Sequence, residues 1–190
     1  GSPTLIELCP LADPTLIQQV GLRGYRLRGF STMLVRPLKP GSTYGGHESP
    51  VRVQKCTPAE DELWTRTVAQ GFAENIVIPD ENMAVLKSLF HRPDSTCLLA
   101  WLDERPVGGG ALAVHEGVAA FYGASTLPSH RRRGVQKAVI SSLLSFAVDA
   151  GCDVAYTLTD PGGFSQRNVE RQMFRVVYTR SMMVKEIAAR

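Results

Sequence analysis

The stretch best equipped for chemistry is Thr126-Leu127-Pro128-Ser129-His130-Arg131-Arg132-Arg133-Gly134-Val135-Gln136-Lys137. An apolar, strand-like run ends at Leu127, a short basic loop follows, and Gly134 opens a helical pattern. The first amide N–H groups of a helix have no acceptor inside it, and the helix dipole adds partial positive charge at the same end. Such a terminus takes a phosphate or pyrophosphate by geometry alone. Gly134 lets the backbone come close to an anion. Arg131, Arg132 and Arg133 add charge-assisted hydrogen bonds worth roughly 1.5–3 kcal/mol each when aligned. A solvated basic loop that only caps a helix has the same composition, but the position between a strand and a helix favours the anion site.

The surrounding elements read as an alternation. Val51–Cys56 alternates as a strand, and Thr57-Pro58-Ala59-Glu60 is a capping box with Pro at the first helical position. Trp64, Val68 and Phe72 then recur every four residues, which predicts a helix. Asp80 is placed to cap a second helix with Met83, Leu86, Leu89 and Phe90 inward. Thr96–Asp103 is apolar on both faces, so a central strand is expected. Val107–Val114 and Val118–Leu127 flank His115-Glu116-Gly117 as a hairpin. After the basic loop, Val135, Ala138, Val139, Ser142, Leu143, Phe146, Ala147 and Ala150 form one stripe of a helix that Gly151 ends. A short strand (Val154–Thr159), a polar helix (Ser165–Gln172) and a long strand (Phe174–Lys185) complete the chain. The fold class this predicts is α/β of the α+β type, a mixed, mostly antiparallel sheet with helices on both faces.

Residues 37–50 are crowded with Pro and Gly and lack a hydrophobic period, so they read as a linker. They separate residues 1–36 from a main domain over 51–190. The short first segment matches the end of the chain position by position. Tyr25-Arg26-Leu27 and Thr32–Arg36 align with Phe174-Arg175-Val176 and Ser181–Lys185, and Leu16–Arg23 has helical character like Gln166–Gln172. We therefore expect residues 1–36 to be a truncated copy of the last helix and strand, packed on the main sheet to protect its edge. Gly1-Ser2 reads as a cloning remnant.

Composition narrows the function classes. Of 190 residues, 44% are hydrophobic and 21% charged, which is ordinary for a globular protein. The net charge of +3 is spread along the chain, too little for nucleic acid or an anionic membrane. Cys9, Cys56, Cys97 and Cys152 are far apart with no CxxC, which disfavours zinc. Reduced thiols and a cytoplasmic location are expected, with no membrane span.

With Arg131, Gly134 and Pro128 in place, the sequence resembles the GCN5-related N-acetyltransferase family. That family's signature is Arg or Gln, two residues, Gly, one residue, then Gly or Ala, with Pro three residues before the Arg. Gln136 departs from it, standing where Gly or Ala is usual. The resemblance covers Val51 to Lys185 and extends to Ser165–Arg175, where Gly-Phe is commoner than Met173-Phe174. It implies acetyl-CoA as acyl donor, its pyrophosphate on the amides of Arg132, Arg133, Gly134, Val135, Gln136 and Lys137. It also implies a pantetheine arm beside the backbone of Thr126 and Leu127, and Asn168 facing the cofactor from the last helix.

The implied reaction is acetyl transfer to a primary amine, small molecule or peptide, by direct attack in a ternary complex. The resemblance also implies a carboxylate on the strand before the loop and a Tyr in the last helix. Val118–Leu127 has no carboxylate, and Val169 holds the Tyr position. Tyr122 is the remaining catalytic candidate, with a hydroxyl able to hold a water or donate a proton. Ser125 could contact substrate; His115, Glu116 and His130 read as loop residues. The alternative is a degenerate acyl-CoA-binding sensor or partner module. A homodimer is compatible with either.

Overall fold

The computed structural model describes residues 4–44, 49–73 and 80–186. In chain order the elements are β1 (Thr4–Leu8), α1 (Pro14–Leu22), β2 (Arg26–Pro37), β3 (Arg52–Lys55), α2 (Asp61–Phe72) and α3 (Asp80–Phe90). Then come β4 (Ser95–Leu102), β5 (Arg105–His115), β6 (Val118–Thr126), α4 (Val135–Asp149), β7 (Val154–Thr159), α5 (Phe164–Arg171) and β8 (Arg175–Lys185). They form two compact units, Arg36–Thr157, and Gly1–Val35 with Leu158–Arg190.

In the unit Arg36–Thr157 the strands lie in the order β7-β6-β5-β4-β3. The β3–β4, β4–β5 and β5–β6 pairs are antiparallel, and β6–β7 is parallel. The run Gly108-Gly109-Gly110 explains how helices reach both faces of β5. A Cβ at Gly109 would meet Val68 of α2 at 3.0 Å, and one at Gly110 would meet Val139 of α4 at 2.8 Å. Strand side chains alternate between faces, so α2 packs on one side and α4 on the other. The Trp64 indole N–H, fully buried, reaches the Gly110 carbonyl at 3.3 Å. Trp64, Val68, Cys97, Leu99 and Ala111 make the core beneath α2, with Phe90 and Tyr122 against it. Beneath α4, Val135, Val139, Leu143 and Ala147 are buried as the stripe predicts, and Ile140 and Leu144 widen it.

Local signals act as expected at several ends. The Glu60 carboxylate accepts the Thr57 N–H at 2.7 Å ahead of α2. The β5–β6 hairpin turns on Glu116 and Gly117, both at positive φ, the geometry two-residue hairpins favour. After α4, Cys152 N–H donates to the Ala147 carbonyl at 2.9 Å, closing the helix around Gly151. Phe72 differs from expectation: it is the last residue of α2 and is exposed, whereas Gly71 beside it is buried. Asp80 is the first residue of α3, and its side chain lies outside the described residues. The Pro/Gly-rich stretch is tied down at both ends of its described part. Leu38 N–H donates to the Asp153 carbonyl at 2.8 Å, and Ser145 Oγ donates to the Tyr44 carbonyl at 3.0 Å. Residues 45–48 lie outside the described residues.

The second unit has the strand order β1-β8-β2, both pairs antiparallel. α1 follows Asp13, whose carboxylate accepts the Thr15 N–H at 2.8 Å, with Pro14 opening the helix. Arg180 on β8 pairs through Nη1 with Glu7 on β1 at 2.9 Å. The sequence reading did not anticipate β1.

Candidate active site

β6 carries the site toward the basic loop. Its parallel register with β7 runs from Val118↔Val154 to Phe121↔Thr157, whereas β6 continues to Thr126. Within that continuation the β5 register shifts. Gly109 faces Ser125 and Ala111 faces Tyr122, so β6 holds one residue more than β5 across Gly123-Ala124. Gly123 has φ +66, a conformation that suits glycine. A bulge leaves its extra residue out of the ladder and re-aims the neighbouring backbone. The sequence carries this feature only as a lone glycine in a strand.

Thr126 ends β6 opposite Gly108, and its Oγ1 is buried without a hydrogen-bond partner. Leu127 is already engaged: its N–H donates to the Val107 carbonyl and its carbonyl accepts the His130 N–H, each at 2.9 Å. A short turn over Pro128–His130 follows, then Arg131 to Gly134, all exposed. Arg132 and Gly134 have φ +66 and +82. Gly134 is the N-cap of α4 and supplies no side-chain cap; the first helical bond is Ala138 N–H to the Gly134 carbonyl at 3.0 Å. A Cβ at Gly134 would meet nothing within 4 Å. The helix thus begins without a side-chain cap from Gly134, its first turn being Val135, Gln136 and Lys137, with Arg132 and Arg133 directly before it. Those are the features that favour an oxyanion or phosphate.

Arg131 makes a contact that spacing does not reveal. Its Nη2 donates to the Gly71 carbonyl near the end of α2 at 3.2 Å. Ser125 supports the same junction, donating from Oγ to the Val68 carbonyl at 2.9 Å, so its hydroxyl points into the protein. The close approach needs Gly71, where a Cβ would fall 2.4 Å from Ser125 Oγ. Gly71 and Gly123 are the site-forming residues the motif reading passed over.

Tyr122 lies one residue before the bulge. Its hydroxyl hydrogen-bonds Ser95 Oγ and lies 3.5 Å from the Leu89 carbonyl. Burial raises its pKa, against a lowering by the Ser95 bond, which keeps the phenol neutral. Ser129 Oγ and His130 Nδ1 are 2.9 Å apart on the exposed turn, and His115 and Glu116 are exposed in the hairpin, as the loop reading expects. Asn168 is on α5 in the other unit, where its Oδ1 accepts from Arg171 at 3.0 Å.

A profile of the acetyltransferase (GNAT) family matches residues 60–169. Among solved structures, the chain is similar to a GCN5-related N-acetyltransferase from Kribbella flavida, with TM-score 0.70 and 20% identity over 97% of this chain and 68% of that one. A GCN5-related N-acetyltransferase from Sphaerobacter thermophilus gives 0.68 and 15%, over 97% of this chain and 60% of that one. A smaller neighbour, AAC(6')-Iy in complex with the bisubstrate analog CoA-S-monomethyl-acetylneamine, gives 0.52 and 19%, over 67% of this chain and 95% of that one. No curated protein matches the chain. With the family profile spanning more than half its length and the fold shared by these neighbours, the chain belongs to the acetyltransferase (GNAT) family and is an acyltransferase.

Proposed function

We propose that the protein moves an acetyl group from acetyl-CoA to a primary amine by direct attack in a ternary complex. The observation that carries this is the start of α4 at Gly134, which has no side-chain cap, follows the bulged end of β6 and is preceded by three arginines. On this reading Arg132, Arg133, Gly134, Val135, Gln136 and Lys137 hold the pyrophosphate. The pantetheine lies along the end of β6, where Thr126 Oγ1 is a buried polar atom in need of a partner. Leu127 contributes position rather than its amide, which already has an acceptor. Asn168 is kept as a cofactor contact on its motif position. The neighbour bound to a CoA-containing bisubstrate analog supports CoA as donor and an amine as acceptor.

The reaction needs a neutral amine, because an ordinary alkylammonium has pKa about 10.4. The amine lone pair attacks the thioester carbonyl carbon. The oxyanion that forms calls for N–H donors, and the bulge at Gly123-Ala124 is where β6 can offer backbone amides. The attacking nitrogen gives up one proton to water, collapse breaks the C–S bond to leave the amide, and the departing thiolate takes a proton. Tyr122, neutral and beside the bulge, is the group we place in that role. All four cysteines are free thiols, which suits a cytoplasmic setting. No helix among the described residues is long and apolar enough to cross a membrane.

The second reading, an acyl-CoA-binding module without turnover, draws on the bonding of Tyr122 to Ser95 and the absence of a carboxylate on β6. Two measurements separate them. Thermal-shift titration should show stabilisation by acetyl-CoA; none would remove both readings. Thiol release across a panel of primary amines should then exceed the amine-free rate, and binding without release selects the second reading.

A further inference from the structure

The structure makes the two ends of the chain equivalent in detail. Val20 and Val169 are both buried. Tyr25 N–H donates to the Val20 carbonyl at 3.3 Å, as Phe174 N–H does to Val169 at 3.2 Å. Gly24 N–H donates to Gly21, as Met173 N–H does to Glu170, both at 2.9 Å. Gly24 and Met173 share positive φ, +82 and +65. Extending the same register backwards places Leu5 on Val154 and Leu8 on Thr157, so β1-α1-β2 corresponds to β7-α5-β8.

The two copies differ in what borders them. β7 takes β6 in parallel, Val118↔Val154 through Phe121↔Thr157. β1 is bonded to β8 on one side and stands last in strand order, with no strand on its other side among the described residues. Exposed edges usually carry Lys, Pro or a bulge; Thr4-Leu5-Ile6-Glu7-Leu8 has none of these, and its one charge is paired with Arg180. The helix beside it is also unguarded. Leu16, Ile17 and Leu22 of α1 and Leu11 before it are 45%, 50%, 74% and 83% exposed. The equivalent positions in the second copy are Ser165, Gln166, Arg171 and Asp160. The fold itself therefore does not require apolar residues there.

We propose that the free edge of β1 and the exposed Leu16–Ile17 face of α1 dock a half-module of this same fold, a block like β3–β6 with α2–α4, whose last strand runs parallel to Leu5–Leu8. The size of the occupant is supported by the neighbours. The Kribbella flavida and Sphaerobacter thermophilus chains match almost all of this chain, yet about a third and two fifths of their own length has no counterpart here. The block β3–β6 with α2–α4 spans residues 51–153, a comparable length. A second whole copy of this chain does not fit the same role, because its β6 already holds β7.

The test keeps the chain from Leu5 onward and supplies the block. A second copy of residues 51–153 is joined directly ahead of Leu5, reproducing the junction by which Asp153 leads into Val154. The expected product is a monomer in which amide exchange across Leu5–Leu8 and Pro14–Leu22 slows at least tenfold relative to the unfused chain. Binding of the dye ANS should fall with it. Unchanged exchange, or an added block that stays unfolded by circular dichroism, overturns the proposal. So does sedimentation showing that the unfused chain already self-associates through β1, lost in Ile6→Lys. In the unfused chain, Leu16→Lys with Ile17→Lys should lower ANS binding and leave the melting temperature unchanged; a fall of several degrees would mean that face is already packed, and would also overturn it.

Discussion

Arg131 and Arg133 have the same side chain and different tasks. Arg131 is drawn toward α2 by the Gly71 carbonyl, whereas Arg133 sits exposed directly before Gly134. Arg133→Ala should weaken acetyl-CoA binding several-fold with no change in melting temperature, read by calorimetric titration. Arg131→Ala should also cost about 1 kcal/mol of stability through its lost hydrogen bond, read by urea unfolding. Met173 is a second position where one residue decides a measurable quantity. A non-glycine residue in the left-handed region costs about 1–2 kcal/mol, and glycine's extra freedom when unfolded returns about 0.5–1. Met173→Gly is therefore expected to stabilise the protein by about 0.5–1 kcal/mol, measured by the same unfolding. The buried thiols give a pH signature. Burial pushes Cys97 up to about 12 and raises Cys56 further, from an ordinary value near 9.0. Because the folded values lie above the unfolded ones, the stability tied to neutral thiols is intact below pH 9 and drains away as pH rises toward the folded values. The urea midpoint should fall between pH 9 and 11, and Cys97→Ala should flatten that decline.

At the scale of elements, legibility followed backbone constraint. The junction from Thr126 to Lys137 could be read because Pro128 fixes its own φ, Gly134 can take the left-handed conformation, and the arginines advertise charge. The hairpin and the end of α4 were equally plain, since Gly117 and Gly151 take conformations few other residues tolerate. β1 was not, because five residues with four apolar or β-branched side chains fit a helix turn as well as a strand. The bulge at Gly123 was hidden too, for it appears only when the β5 and β6 registers are compared. The bonding of Arg131 and Ser125 to α2 depends on tertiary distance, which no spacing encodes. The Gly108–Gly110 run, visible in the sequence, marks how closely both helices approach β5. Gly109→Ala should lose about 1–3 kcal/mol by overpacking, with the Leu98 carbonyl at 2.8 Å and Val68 at 3.0 Å from the new methyl, measured by urea unfolding.

Over the whole molecule, one unit is a single continuous stretch and the other is assembled from both chain ends. The first can organise from contacts along its own length, whereas the second must bring residues near 30 and 180 together before β2 and β8 can pair. Removing residues 158–190 should therefore leave β1, α1 and β2 without their shared strand β8. Limited proteolysis is expected to cut within the first 35 residues of that truncated chain while sparing most of Arg36–Thr157. One further property follows from the seat of Trp64. The indole is wholly buried, and the nearest ring atom would lie 3.4 Å from a Cβ at Gly123, the bulged residue of β6. The only other tryptophan, Trp101, is partly open to water beside Arg52. The protein thus carries its own optical gauge: iodide should quench the Trp101 emission, and the blue-shifted remainder, from Trp64, should register any molecule that settles at the bulge.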